Sequence, residues 1–372
     1  MAFVGKVLNT MVINYSLLLT MFIKPLMFLL FPKRLQRNIL YAFYDKRVSP
    51  TTFDFVTFLV LAELARTRTG CNSMHVIFVG YHDEQGLNLE ADEFNEIHKM
   101  KERADADFIR WRLQNILLPC CSFMGSCKAV SVCSSYEEAQ SIEMNLAYHK
   151  YPESYSVVTP VNRTALHFIK RELLNGMEAP SISATSQSLS IVDGWIRKHC
   201  GQRKVVTITL REAPYNTNRN SKIAEWARFV AGMDKNVYCP VIVRDTYCDS
   251  NLPKEFDDCI IHEYANWNTF IRMALYQLSY INLSVSNGAF ALCMFCRKSR
   301  YLRFKIVVAD SPVADTKFLE DVHGMKSGEQ PLLRYHGFQK LIWEDDDFDV
   351  INKEFNKMCY EIESSETLRS VK

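Results

Sequence analysis

From residue 74 onward the sequence keeps returning to one pattern: a short unbroken apolar run, a polar loop, then a stretch of helical periodicity. The runs are MHVIFVG (74–80), CKAVSVC (127–133), YSVVTP (155–160), KVVTITL (204–210), YCPVIV (238–243), DCIIHE (258–263), INLSVS (281–286) and FKIVVA (304–309). They lack the alternation of a half-solvated strand, so they predict strands buried on both faces, as in a parallel sheet covered by helices on either side. Between them, helices are expected over 92–117, after Ser134 or Ser135, over 163–176 ending at Gly176, over 221–233 capped by Asn220 or Ser221, and over 266–280. Residues 36–70, with SPTTFDFVTFLVLAELAR at their centre, read as helical and buried.

At 372 residues the chain is long enough for two domains of about 150 residues each. A low-apolar stretch, EAPSISATSQS (178–188), sets the expected division: an N-terminal α/β domain over 36–185 and a second over 186–340, with a helix at 186–199 that can bridge them. Residues 341–372 should return as a helix packing back on the rest, with Glu344, Asp345, Asp346 and Asp347 in its first turn as dipole-complementing surface charge.

Lys and Arg number 44 against 42 Asp and Glu, a net charge of +2, which gives no field for gathering a nucleic-acid backbone. The 12 Cys lie mainly in apolar segments and read as reduced, buried thiols. Cys120, Cys121, Cys127 and Cys133 miss the close ligand pairs of zinc modules, and Cys293 and Cys296 sit in an apolar helix without a partner pair, so no metal site is expected. No G-x-G-x-x-G follows a strand and no G-x-x-x-x-G-K-[ST] occurs, which argues against a dehydrogenase or a P-loop ATPase. Residues 7–31 carry one charge, Lys24, and run into Lys33, Arg34 and Arg37. Within an expected apolar segment 1–35, this run either spans a membrane, lies on its surface, or folds as a helix on the protein's own core. The expectation is membrane attachment with the main body on the cytoplasmic face.

In open α/β sheets ligands sit beyond the carboxyl ends of the strands, so the loops after 210, 243, 263 and 286 should line one crevice. The first loop offers Arg211, Arg219, Asn220 and Ser221 near a helix start, donors suited to a diphosphate, although a solvated loop with an ordinary cap also fits. The last offers Ser286, Asn287 and Gly288 where the next helix begins, a second anion nest or a plain turn. Glu212 is either the partner of Arg211 or a catalytic base, and His82 with Asp83 after the 74–80 strand forms a second candidate base.

Residues 203–310, with TLRE after the first strand, RNS before the helix and ALYQLSYINLSVSNGAFALC later, resemble the nucleotide-sugar half of GT-B-type glycosyltransferases, especially the fucosyltransferase-like group. That group shows His-x-Arg-Arg at this strand end; here the positions are Thr209, Leu210, Arg211 and Glu212, so Arg211 alone carries over. The resemblance implies two Rossmann-like domains facing across a cleft, with a nucleotide sugar on the second half and a glycan or lipid-linked acceptor on the first. It also implies metal-independent transfer with the nucleotide sugar as co-substrate and no resident cofactor, in surface polysaccharide or glycoconjugate synthesis. The missing His and second Arg keep another reading open, a catalytically silent glycan- or nucleotide-binding protein on the same fold.

Overall fold

The computed structural model describes residues 36–81, 106–245, 251–309, 311, 314–330 and 333–370. The apolar run 7–31, the His82–Asp83 pair and the first part of the helix expected over 92–117 lie outside them. No helix among the described residues is long and apolar enough to cross a membrane.

The protein is α/β with two parallel sheets. The first holds β1 (Ile39–Asp45), β2 (Ser73–Val79), β3 (Cys127–Val132) and β4 (His149–Tyr151) in the order β3-β2-β1-β4. The second holds β5 (Lys204–Thr209), β6 (Tyr238–Val243), β7 (Ile260–Ile261), β8 (Ile281–Val285), β9 (Tyr301–Phe304) and β10 (Gln339–Leu341) in the order β10-β9-β8-β5-β6-β7. The helices are α1 (Asp54–Thr69), α2 (Ala106–Arg112, continued by a π-helical turn Leu113–Leu117), α3 (Tyr136–Asn145), α4 (Leu166–Leu174), α5 (Ser186–His199), α6 (Ile223–Ala231), α7 (Glu263–Trp267), α8 (Thr269–Leu278), α9 (Ala291–Met294), α10 (Thr316–His323) and α11 (Phe348–Ser370).

Local chemistry accounts for most boundaries. The Ser135 hydroxyl accepts from the Glu138 amide at 3.2 Å at the start of α3, and Asn268 does the same for Ile271 at 3.1 Å before α8. α1 ends at Gly70, whose φ of 69° lets the amides of Gly70 and Cys71 turn back onto Thr67 and Arg66. β5 carries two hydroxyls into the core because each finds a partner there: Thr207 with Ser279 at 2.6 Å and Thr209 with Tyr276 at 2.8 Å.

Four elements depart from the sequence reading. Residues 39–45 form the strand β1, not helix; with neighbours on both sides and both faces covered, its apolar run has no period to separate strand from helix. Residues 155–160 form a loop, and the strand lies earlier at β4. The Tyr155 hydroxyl donates to buried Asp45 at 2.8 Å, while the Val157 carbonyl and amide are taken by Arg47 at 2.7 Å and Glu143 at 3.0 Å, so side chains replace ladder bonds. The strand expected over 304–309 stops at Phe304, because Lys305 turns into the left-handed region at φ 54° and donates its amide to Glu344. The acidic run precedes α11 instead of forming its first turn.

The largest apolar cluster runs without a break from Tyr44, Phe55 and Phe58 of the first half to Met273, Phe290, Phe295 and Tyr301 of the second. A separate cluster under the second sheet joins Trp226 and Phe229 of α6 to Ile351, Phe355, Met358 and Ile362 of α11, so the terminal helix packs back on this sheet. α5 lies against α8 and belongs with the second sheet as well. All 11 Cys of the described residues are free. Asn282 on β8 is wholly buried and donates to the Tyr276 and Arg300 carbonyls at 2.8 and 3.1 Å.

Candidate functional site

In the second sheet the chain steps outward from β5 through β6 to β7, then returns to the other side of β5 and steps outward through β8, β9 and β10. The loops after β5 and β8 therefore diverge and leave a crevice above their carboxyl ends, the switch point where α/β sheets hold ligands. Arg211, Arg219, Asn220, Ser221, Ser286, Asn287 and Gly288 all belong to these two loops.

The loop after β5 is built around Arg211. Its buried guanidinium donates to the Asn216 carbonyl at 3.2 Å, the Tyr215 carbonyl at 3.4 Å and the Asn220 side-chain oxygen. Asn220 also bonds both the amide and the carbonyl of Ala213, at 3.1 and 2.8 Å, and the Ser221 hydroxyl accepts from the Arg211 amide at 2.9 Å. These three residues hold the loop together from inside. Asn220 and Ser221 do not cap α6; the Lys222 amide and the Trp226 indole both donate to the fully buried Asp346 carboxylate at 2.8 Å. Asp345 and Asp347 pair with the Lys222 ammonium at 2.7 and 2.6 Å, so the acidic run is a structural clamp and not free surface charge.

With the loop fixed this way, Arg219 projects toward the end of β8, where its guanidinium has a long 3.5 Å contact with the Ser286 carbonyl and its Nε is shut from solvent without a partner. Arg303, near the end of β9, meets it from the other side. It donates to the Ser286 hydroxyl at 2.6 Å and to the Met294 sulfur at 2.8 Å, and its Nε is likewise buried and unpartnered. The arginine ion pairs of the second half are Arg197–Asp193, Arg228–Glu225, Arg244–Glu212, Arg297–Glu178 and Arg300–Glu366; among the described residues none includes Arg211, Arg219 or Arg303. Burial, then repulsion from Arg211 and Arg303, brings Arg219 down to about 10, and burial lowers Arg303 too. Two neighbouring guanidinium groups that are half-buried, with their Nε–H groups shut from solvent and without a paired carboxylate among the described residues, raise the energy of the free protein, a cost that a bound anion would relieve.

In the turn after β8 the Asn287 side chain accepts from the Phe290 amide at 3.0 Å and donates to Ser284, which fixes the start of α9, a single turn of four residues. Gly288 sits where an added Cβ would stand 3.8 Å from the Phe53 Cβ, so the loop after β1 reaches the loop after β8. Asp54, the first residue of α1, faces Arg219 and Arg303 from that side at a distance beyond pairing.

Glu212 pairs with Arg244 and not with Arg211: its two carboxylate oxygens accept at 2.6 and 2.9 Å. Its amide donates at 2.6 Å to Asp245, a carboxylate at the end of β6 that burial pushes up. Among the described residues no group of His, Cys, Asp or Glu has the arrangement to hold a metal ion. Sequence reasoning missed Arg303, His323 and Asp54. Arg303 had a usable signal, since it is an ionisable residue inside the apolar run YLRF; His323 lies on α10, where the sequence predicts no element.

No family model matches the sequence, and no curated protein matches it. Three solved structures illustrate its likenesses. The E. coli ADP-heptose lipopolysaccharide heptosyltransferase II is 10% identical, with 88% of this chain and 99% of that one covered at a TM-score of 0.46. The fucosyltransferase NodZ from Bradyrhizobium is 12% identical, with 73% and 96% covered at 0.29. The Methanocaldococcus jannaschii UDP-GlcNAc 2-epimerase is 12% identical, with 86% and 92% covered at 0.33. These are distant likenesses of chain course, and the functional reading rests on the crevice itself.

Proposed function

We propose that the protein is a glycosyltransferase that holds the diphosphate of a nucleotide sugar between Arg219 and Arg303 and transfers the sugar to a glycan or lipid-linked acceptor. One observation carries this reading: two neighbouring, half-buried guanidinium groups at the switch point, each with its Nε–H shut from solvent and with no carboxylate partner among the described residues. A sugar-esterified diphosphate brings about two negative charges, which matches them. In the reaction the anomeric C–O bond breaks with its electron pair passing to the diphosphate oxygen, while the acceptor hydroxyl oxygen forms the new bond and gives its proton to a base. Electrostatic stabilisation of the departing diphosphate is the main contribution asked of the arginines. The two sheets face each other across a cleft in this reading, with the acceptor on the first and His82 and Asp83, which follow β2 in the sequence, as the candidate base. The apolar run 7–31 supports an acceptor met at a membrane surface.

The engagement of Glu212 by Arg244 favours a second reading, a silent nucleotide- or glycan-binding protein with the same crevice. Thermal shift of the full chain against UDP, GDP, ADP, CMP and their sugar conjugates tests both. A binder at a hundredfold excess over Kd stabilises by about 2.7 kcal/mol. A selective shift followed by release of free nucleoside diphosphate on adding acceptor supports the transferase. A shift with no turnover selects the silent nucleotide binder, and no shift at all defeats the transferase and leaves only the silent glycan binder.

A further inference from the structure

We propose that His323 and the Nε–H of Arg303 form a proton-accepting subsite for the terminal phosphate of a nucleoside diphosphate, so that the diphosphate product binds with uptake of a proton at His323. The inference rests on the donor reading above and adds to it a residue from a different element and a charge state for the product.

Arg303 spends two of its nitrogens on Ser286 and Met294 and keeps a buried, unsatisfied Nε–H. The Nδ1 of His323, on the last turn of α10, is also shut from solvent without a partner, and the imidazole lies close enough to the same guanidinium to feel its charge. Buried polar atoms in folded proteins are nearly all satisfied, and two unsatisfied nitrogens on side chains within electrostatic reach of each other leave a place for an acceptor oxygen. The ring is fixed by packing: Phe318 meets it edge-on with centroids 5.2 Å apart. Its helix end is fixed from α4, where the His167 ring donates from Nδ1 to the Val322 carbonyl at 2.7 Å and the Lys170 ammonium donates to the Gly324 carbonyl at 2.7 Å. Gly324 has a φ of 63°, and a Cβ there would meet His167 at 3.2 Å, so this contact has little slack.

The groups that act on His323 are Arg303 from β9 and His167 from α4, with Lys170 beside it paired loosely to Glu329 at 3.8 Å. All of these are neutral or cationic apart from Glu329, so without a ligand the imidazole stays neutral; burial first, then Arg303 and His167, bring it to about 4. An anion placed against Arg303 reverses the sign of that field and favours the imidazolium. A sugar-esterified diphosphate carries about two charges, which Arg219 and Arg303 balance. Breaking the glycosidic bond leaves a terminal phosphate with a further ionisation near pH 6, and His323 can supply a third positive charge beside the two arginines. The site thereby adapts to its product by gaining a proton instead of moving a side chain.

Titration calorimetry of the full chain at about pH 6, in two buffers of different ionisation enthalpy, counts protons taken up on binding. The probe is whichever of UDP, GDP or ADP binds, compared between the native protein and His323→Gln. Arginine-bound phosphate itself sheds protons, so the readout is the difference between the two proteins. The native protein should take up about one proton more than His323→Gln, and its affinity for the diphosphate should rise as pH falls where the variant's does not. His323→Asn serves the same comparison if the Gln variant does not fold. Equal proton counts in native protein and variant overturn this subsite and leave the donor reading standing. Failure of every nucleoside diphosphate to bind overturns both.

Discussion

Arg303→Met separates the cost of the site from its use. Removing one of two half-buried guanidinium groups that lack a carboxylate partner among the described residues relieves desolvation and repulsion, so the ligand-free variant should melt at a higher temperature than the native protein. It should also bind nucleoside diphosphate more weakly by about 1.5–3 kcal/mol, roughly 10- to 150-fold, because a charge-assisted phosphate contact is lost. Calorimetric melting with parallel titration checks both signs; a variant that melts lower and binds as before would place Arg303 in the structure alone. Histidines give the second residue-scale prediction. His262, stacked on Trp195 at 4.0 Å, and His323 are both brought to about 4 in the folded protein, chiefly by burial, against about 6.5 in an unfolded chain. Between those values the unfolded chain binds more protons, so stability falls as pH drops through that window and is restored as it rises. Melting temperatures across this range should show the fall, and replacing both histidines by Gln should flatten it.

The acidic run before α11 matters as a joint between elements. Asp346 closes the start of α6 by accepting from Lys222 and Trp226, and Lys305, which pairs with Asp345 at 3.3 Å, also donates to the Asn220 carbonyl at 3.2 Å. Asp346→Ala leaves a buried indole N–H and a helix-terminal amide unsatisfied, and should cost about 2–5 kcal/mol in urea unfolding. Nucleotide affinity should weaken in the same variant, because the Arg219 loop hangs from this joint; unchanged affinity would detach the clamp from the site. Much of the second sheet was legible in advance, since β5, β6 and β8 are apolar runs bounded by polar loops. β1 was not, because a strand covered on both faces has no period of its own, and 155–160 was not, because the bonds of Arg47 and Glu143 come from elsewhere in the chain. For the site, the two loops could be read from strand ends, but which arginine faces outward could not. Arg211 turns inward on carbonyls of its own loop, a choice made by backbone geometry that composition does not carry.

Across the whole molecule, the first sheet's aromatic cluster of Tyr44, Phe55 and Phe58 is continuous with the apolar interior around Phe290 and Tyr301. A core shared in this way couples the two sheets, so scanning calorimetry of the full chain should give one cooperative transition, whereas two resolved transitions would mean the halves fold independently. Whether Arg219 and Arg303 hold a diphosphate is decided by a crystal structure of the full chain with a bound nucleoside diphosphate. Phosphate oxygens should accept from the Nε–H of both arginines beside Ser286. A diphosphate seated elsewhere, or both arginines paired with carboxylates of the protein itself, would contradict that role.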